Sequence, residues 1–539
     1  MALSARLASL KEAVDAICSA TGVPGLSLGV ARGGELIHSY DYGYADIATK
    51  SQPSSDTRYG IGSITKAITA SAIGILVDEG KIDFETLVKS VLPDFNSSSQ
   101  EVTDKATITD LLGHTTGLAV SNHWWYGAEN QLIISKKDTM PYFNNLQIAA
   151  PFREKAIYSN WGYTVAAEVI EKLSGMSLGD YVNDKIFEPL NMSNSTLNHN
   201  CTSNSALAKP YAALDDASVV PIDPPQAQDG TIMAGAQGIQ STVKDMLTYS
   251  NALISAYASE QSTSNAPKSK SVLRHVTKQF SPHIAKGTGS DSIDSFGLGF
   301  SIHQLPSRFK GLGCNGMYTK EMPLISAKSG KPTIMVNNGS LAGYTCMISV
   351  IPDLDVSIAV CTNSIGLANP SQWVHNLLLE SVVEEPNPHD YVALAKDAAK
   401  GHVENSRSMM QDFEKMRESN KKRPSSAYTG RYEDEKRGFI IDILESEGSE
   451  LLIRFQGLEK QVWPLRYFKD DSFMWLESRD VQAARARFTY SGLNVFKIIF
   501  DKEESGKMMT LCWPHEPSQP IDQQRFVRVD EKVTGHGRL

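Results

Sequence analysis

The sequence predicts an α/β (α+β) protein: a sheet flanked by helices, with a helical domain inserted between its strands, followed by a small C-terminal antiparallel β-barrel or sandwich. Three observations predict this. Two alternating runs meet at Gly33-Gly34 near the N-terminus, strand-like runs resume only with "FGLGFSIHQ" at 296–304, and past residue 425 the hydrophobic pattern changes to period two.

"MALSARLASLKEAVDAICSATGVPG" carries a polar or charged residue every few positions and reads as an amphipathic helix, not as a signal peptide. "GLSLGVAR" and "ELIHSYDYGYAD" on either side of Gly33-Gly34 form a β-hairpin. The segments 63–80, 108–118 ("ITDLLGHTTGL"), 160–175 and 241–255 read as helices, and 257–292, polar and without period, as a mobile excursion. Strand character returns in "FGLGFSIHQ", "TIMVNNG", "TCMISVIP" and "VSIAVCTN", with a helix at 371–383. Residues 386–425 read as a charged helical connector, which divides the chain into 1–385, 386–425 and 426–539. In the last part "AYTGRYEDE", "GFIIDILES", "ELLIRFQG", "FMWLES", "ARFTY", "VFKIIFD", "MMTLCWP" and "QRFVRV" read as the strands of a small barrel or sandwich.

The 539 residues exceed what one hydrophobic core serves. A net charge of −9, with basic residues spread along the chain, argues against nucleic acid as a partner. There is no apolar run of about 18 residues to span a membrane. The cysteines (Cys18, Cys201, Cys314, Cys346, Cys361, Cys512) lack metal-ligand spacing and read as reduced structural thiols. No metal or cofactor is expected. Glycosylation sequons stand at Asn96, Asn191, Asn194, Asn200 and Asn338; a glycan at Asn338 would block the site assigned below, which favours a cytoplasmic location.

In "YGIGSITKAITASAIGILVDEG" (59–80), Ser63 and Lys66 stand nearly one helical turn apart and project from the same face. Ser63 also opens the helix, where free backbone N–H groups favour negative charge. A desolvated lysine has its pKa lowered and can take the hydroxyl proton. Ser-x-x-Lys recurs at Ser241, Ser307 and Ser419, but only Ser63 combines a strand end, a turn glycine and an apolar helix.

The order of later motifs is informative. "YSNWGY" supplies Tyr158 and Asn160 just before a helix, although Tyr-x-Asn also occurs at Tyr142, Tyr181 and Tyr249. "ITDLLGHTTGL", ahead of it, and "IFEPLNMSNST", "AGAQGIQSTVKDM", "FGLGF" and "GSLAGYTCMISVIPD", beyond it, stand in that order along the chain. Over roughly residues 5–385 the chain resembles the serine β-lactamases, penicillin-binding proteins and related esterases, nearest the class C and esterase branch. The C-terminal strands, through "YTGRY" and their rhythm, resemble the lipocalin-like barrel appended to some relatives such as D-aminopeptidases.

The resemblance implies the β-lactamase/transpeptidase fold, with Ser63 as the acylated nucleophile, Lys66 and Tyr158 sharing the proton work, and Asn160 orienting Lys66 and the substrate. Which of Lys66 and Tyr158 is the base is left open. The oxyanion hole would be the N–H groups of Ser63 and Ser340. Where the family carries Lys-Thr-Gly or His-x-Gly, this chain has Asn337-Asn338-Gly339, so no strand cation waits for a substrate carboxylate. That points to a largely neutral small-molecule ester, thioester or lactone, handled by a hydrolase or acyltransferase, with a role in secondary metabolism as an extension. A D-amino-acid amidase, peptidase or peptide cyclase, and a catalytically silent binding protein, are the alternatives. Trp124 and Trp125 either line the cleft or pack their loop, and His114 is expected to fix its loop.

Overall fold

The computed structural model describes residues 2–199, 206–262, 271–287, 294–418, 423–447, 450–502, 508–521 and 524–529. At its centre lies an antiparallel sheet with strands in the order Glu35–Gly43, Gly25–Arg32, Val356–Thr362, Tyr344–Ile351, Thr333–Leu341, Ser301–Gln304, Ser295–Phe296 and Ile284–Ala285. Gly33 and Gly34 take φ values of 59° and 81°, the left-handed conformation that a two-residue hairpin turn requires.

Both faces of the sheet are covered. Leu26, Leu28, Val30, Ile358 and Val360 pack with Ile17 of helix Lys11–Thr21 and Trp373 and Leu378 of helix Pro370–Val383. On the other face Ala359, Cys361 and Ile348 join the larger core, with Leu247 and Leu253 of helix Val243–Gln261. Double coverage explains why the central strands are almost continuously apolar rather than alternating. The sheet's first two strands and the rest are separated in sequence by a layer of helices, among them Thr65–Asp78 and Asn160–Ser174. The helix Tyr391–Met416 buries Tyr391, Ala395 and Ala398 against the N-terminal helix layer, and near its end Phe413 stacks on Phe468 of the barrel with ring centroids 5.9 Å apart.

The C-terminal part is a closed eight-stranded barrel, running consecutively from Gly430–Glu433 to Arg525–Val529. One of its strands differs from the expected set. "ARFTY" is a loop, and Val462–Lys469, unassigned from sequence, is the missing strand. Pro464 argues against a paired strand there, yet it lies opposite Leu452 with its ring exposed.

Two other expectations are corrected. The helix expected over 108–118 stops at Leu112; His114 and Gly117 have positive φ, so "GHTTGL" is a turn-rich loop. The expected excursion at 257–292 has its 263–270 and 288–293 stretches outside the described residues, and its remainder is anchored. Glu260 accepts the N–H groups of Val276 and Thr277, Gln279 Nε2 donates to Ala67 O at 3.0 Å, and Ile284–Ala285 extends the sheet. Among the described residues no helix is long and apolar enough to cross a membrane, and Cys18, Cys314, Cys346 and Cys361 form no disulfide.

Candidate active site

The turn before Ser63 is shaped by two glycines pressed together. A Cβ on Gly339 would lie 1.9 Å from Ile61 O, and one on Gly62, whose φ is +52°, would lie 2.8 Å from Ser340 N. No side chain fits at either contact. The end of strand Thr333–Leu341 is thereby held against the short 3₁₀ turn Gly62–Ile64, which brings the backbone amides of Ser63 and Ser340 to the same contact.

From this turn runs helix Thr65–Asp78, buried through its first three turns. Lys66 is 1 % exposed. Its Nζ lies 2.7 Å from Asn160 Oδ1, 2.9 Å from Ala236 O and 3.0 Å from Ser63 Oγ. Burial without a carboxylate partner holds its pKa well below 10.5. The three contacts then define its protonation chemistry. As an ammonium, Lys66 donates to all three oxygens. As a neutral amine it has two N–H groups, which the two carbonyl oxygens can only accept, and its lone pair is left facing the Ser63 hydroxyl.

Tyr158 approaches from the other side, its hydroxyl 2.7 Å from Ser63 Oγ. Burial pushes its pKa up to about 12, so the phenol keeps its proton at neutral pH and donates to Ser63. His114 packs on the Tyr158 ring, with centroids 4.6 Å apart, and its Nδ1 accepts the Ser159 N–H at 3.1 Å. Burial lowers the His114 pKa to about 3, which keeps the ring neutral, in a positioning contact. Ser159 caps helix Asn160–Ser174 by accepting the Gly162 N–H, and this fixes the direction of Asn160.

Asn337 does something its place in the sequence does not suggest. Its Nδ2 donates to Ser63 O at 3.1 Å and to Gly299 O at 2.5 Å, so the amide ties down the backbone of Ser63. Asn338 accepts from Asn369 Nδ2. Trp125 lines the cavity, whereas Trp124 does not: it is buried among barrel residues, with its ring centroid 4.4 Å from His515 and 4.9 Å from Phe439.

The other Ser-x-x-Lys serines are elsewhere. Ser241 bonds Ser195, Ser307 bonds His303, and Ser419 lies outside the described residues. Asn122 was not singled out from sequence, yet its Oδ1 accepts from both Asn160 Nδ2 (3.0 Å) and Trp125 Nε1 (3.2 Å). Nothing but its place beside the tryptophans marks it.

A cavity of about 430 Å³ opens over Ser63. One wall comes from the sheet side (Phe296, Val336, Asn338), another from the 122–126 loop, and a third from the barrel loop Arg487–Ser491. The barrel is bound to the loop forming the second wall: Gln461 bridges the N–H and C=O of Ala128, Tyr126 donates to Ala486 O at 2.6 Å, and Glu129 pairs with Arg485 at 3.0 Å.

An antiparallel sheet clad by helices, with a buried Ser-x-x-Lys turn facing a tyrosine, defines the active-site-serine class to which penicillin-binding proteins belong. The chain belongs to the beta-lactamase family, whose profile matches residues 10–374. It is 30 % identical over 239 residues to unguisins hydrolase ungD' of Aspergillus campestris, covering 43 % of this chain and 44 % of that protein. Penicillin-binding protein 4* of Bacillus subtilis is 27 % identical over 234 residues (41 % and 51 % covered), and a D-aminopeptidase of Cereibacter sphaeroides 26 % over 250 residues (45 % of each). The chain thus spans about half the length of the curated relatives it matches. The octameric penicillin-binding protein homologue from Pyrococcus abyssi shares the fold at TM-score 0.55 and 20 % identity, over 87 % of this chain and 93 % of that one.

Proposed function

We propose that the protein is a serine hydrolase working through an acyl-Ser63 intermediate. The observation that carries this is the position of Ser63 Oγ, between Lys66 Nζ at 3.0 Å and Tyr158 Oη at 2.7 Å. Neutral Lys66 takes the Ser63 proton as the oxygen attacks a carbonyl carbon. The oxyanion forms against the backbone N–H groups of Ser63 and Ser340. Tyr158, still protonated, donates to the leaving group and is reprotonated from Lys66, and water, or another acceptor in a transferase, then takes the acyl group.

The bond we assign is an ester, thioester or lactone of a small molecule, since the strand beside Ser63 presents a neutral asparagine already occupied by two carbonyls. Amide cleavage is the second reading, favoured by the likeness to an unguisins hydrolase and a D-aminopeptidase. Quenched-flow mass spectrometry with an ester, a thioester and a D-amino-acid amide tests the choice. The ester reading expects an acyl mass on Ser63 and fast turnover of the first two. Turnover of the amide alone would install the second reading, and ligand binding without any acylation would remove both.

A further inference from the structure

Among the described residues two basic side chains line the cavity, and their surroundings are opposite. Lys66 is fully engaged by the three oxygens around it. Arg487, on the barrel loop, is 6 % exposed, and its guanidinium meets no carboxylate and no hydrogen-bond acceptor among the described residues. Its neighbours are aromatic: the guanidinium carbon is 5.0 Å from the Trp475 ring centroid, 5.8 Å from Trp463 and 6.0 Å from Tyr126. The contrast with Arg485, two residues earlier, is direct. Arg485 pairs with Glu129, donates to Val462 O at 2.9 Å and also to Lys460 O, and lies 3.8 Å over Trp463.

A guanidinium this little exposed, facing the cavity with no acceptor on the protein, is costly to fold around, so an aromatic shelf alone is a poor reason for it. The loop that carries it is nevertheless firmly placed. Arg487 N donates to Gln482 O, Ala486 O accepts the Tyr126 hydroxyl, and Thr489 meets His402 at 2.9 Å. No aspartate or glutamate lines the cavity among the described residues, so nothing in it competes for the cation.

We propose that Arg487 binds a carboxylate carried by the substrate remote from the bond that Ser63 attacks. This rests on the acyl-Ser63 reading and deepens it: the substrate is neutral beside the nucleophile, where Asn337 stands, and anionic on the barrel side. A planar guanidinium offers paired N–H donors matched to a carboxylate, and burial strengthens that pairing. The strand cation missing at Asn337 is replaced by one from the other end of the chain.

The test compares p-nitrophenyl hydrogen glutarate with its methyl ester, and 4-carboxyphenyl butyrate with its methyl ester, so that the charge is carried on the acyl side or on the leaving side. In the wild type kcat/KM favours the acid of one pair, and in Arg487→Gln that acid-to-ester ratio falls about tenfold or more. Should Arg487→Gln not fold, the wild type alone decides: glutarate protects Ser63 from a fluorophosphonate better than dimethyl glutarate does. Ratios that do not change in the variant, or equal protection by the two compounds, overturn the assignment. Fluorophosphonate labelling separates the two levels. Labelling of Ser63 with no charge preference removes only Arg487, and no labelling of Ser63 removes the acyl-enzyme reading beneath it.

Discussion

Asn160 Oδ1 lies 2.7 Å from Lys66 Nζ, although the two residues are 94 positions apart in the chain. The bond joins two helices and gives the buried amine one of the acceptors that orient it. Asn160→Ala removes that acceptor and frees the amine to rotate away from Ser63. In taking the Ser63 proton Lys66 becomes charged, and a hydrogen bond to a charged group contributes about 1.5–3 kcal/mol, so on the acyl-Ser63 reading the acylation rate should fall about ten- to a hundredfold. Stopped-flow acylation with an activated ester, at unchanged far-UV circular dichroism, measures it.

On the proposed acyl-Ser63 mechanism, acylation needs Lys66 neutral and Tyr158 protonated. Burial lowers the first pKa well below 10.5 and raises the second to about 12. Lys66 loses its proton as pH rises, so the rate climbs through a single ionisation below the ordinary lysine value and then levels until the phenol ionises. In Lys66→Met the rate drops about 10²–10⁴-fold and the rising limb disappears. A pH profile whose limb survives that substitution assigns the proton to another group.

The glycine contact under Ser63 should tolerate no side chain. Gly339→Ala drives a methyl into Ile61 O and forces the strand from the turn. Overpacking of this kind costs about 1–3 kcal/mol, and the displaced amides add a loss of acylation. Thermal unfolding and ester turnover, measured together, should both fall.

Trp124 separates stability from chemistry. It is buried against Phe439, Trp513 and His515 of the barrel and is absent from the cavity wall. Trp124→Ala should cost about 3–5 kcal/mol of stability by denaturant unfolding. Below its unfolding midpoint the folded enzyme should still label at Ser63.

What the sequence disclosed follows from where each signal lives. Ser63, Lys66, Tyr158 and Asn160 are legible because helical spacing and an N-cap turn fix their directions locally, and those directions survive folding. Asn337 is legible as a position but not as a bond, since its partners Ser63 O and Gly299 O come from segments 274 and 38 residues away. Trp124 and Trp125 are adjacent yet face opposite ways, a choice made by the barrel packing on one of them. "ARFTY" misleads because its apolar and polar residue types alternate as in a strand, although in the folded loop Ala486, Arg487 and Thr489 are all buried. Its arginine points into a cavity whose other walls lie more than a hundred residues earlier in the chain, and no local pattern encodes that.

The central claim is that the Ser63 oxygen, and no other, becomes the nucleophile. Peptide mapping after exposure to a fluorophosphonate tests it most directly. The adduct should sit on Ser63, form slowly in Lys66→Met, and be absent in Ser63→Ala. An adduct of equal yield in Ser63→Ala, or one mapped to a different serine, contradicts it.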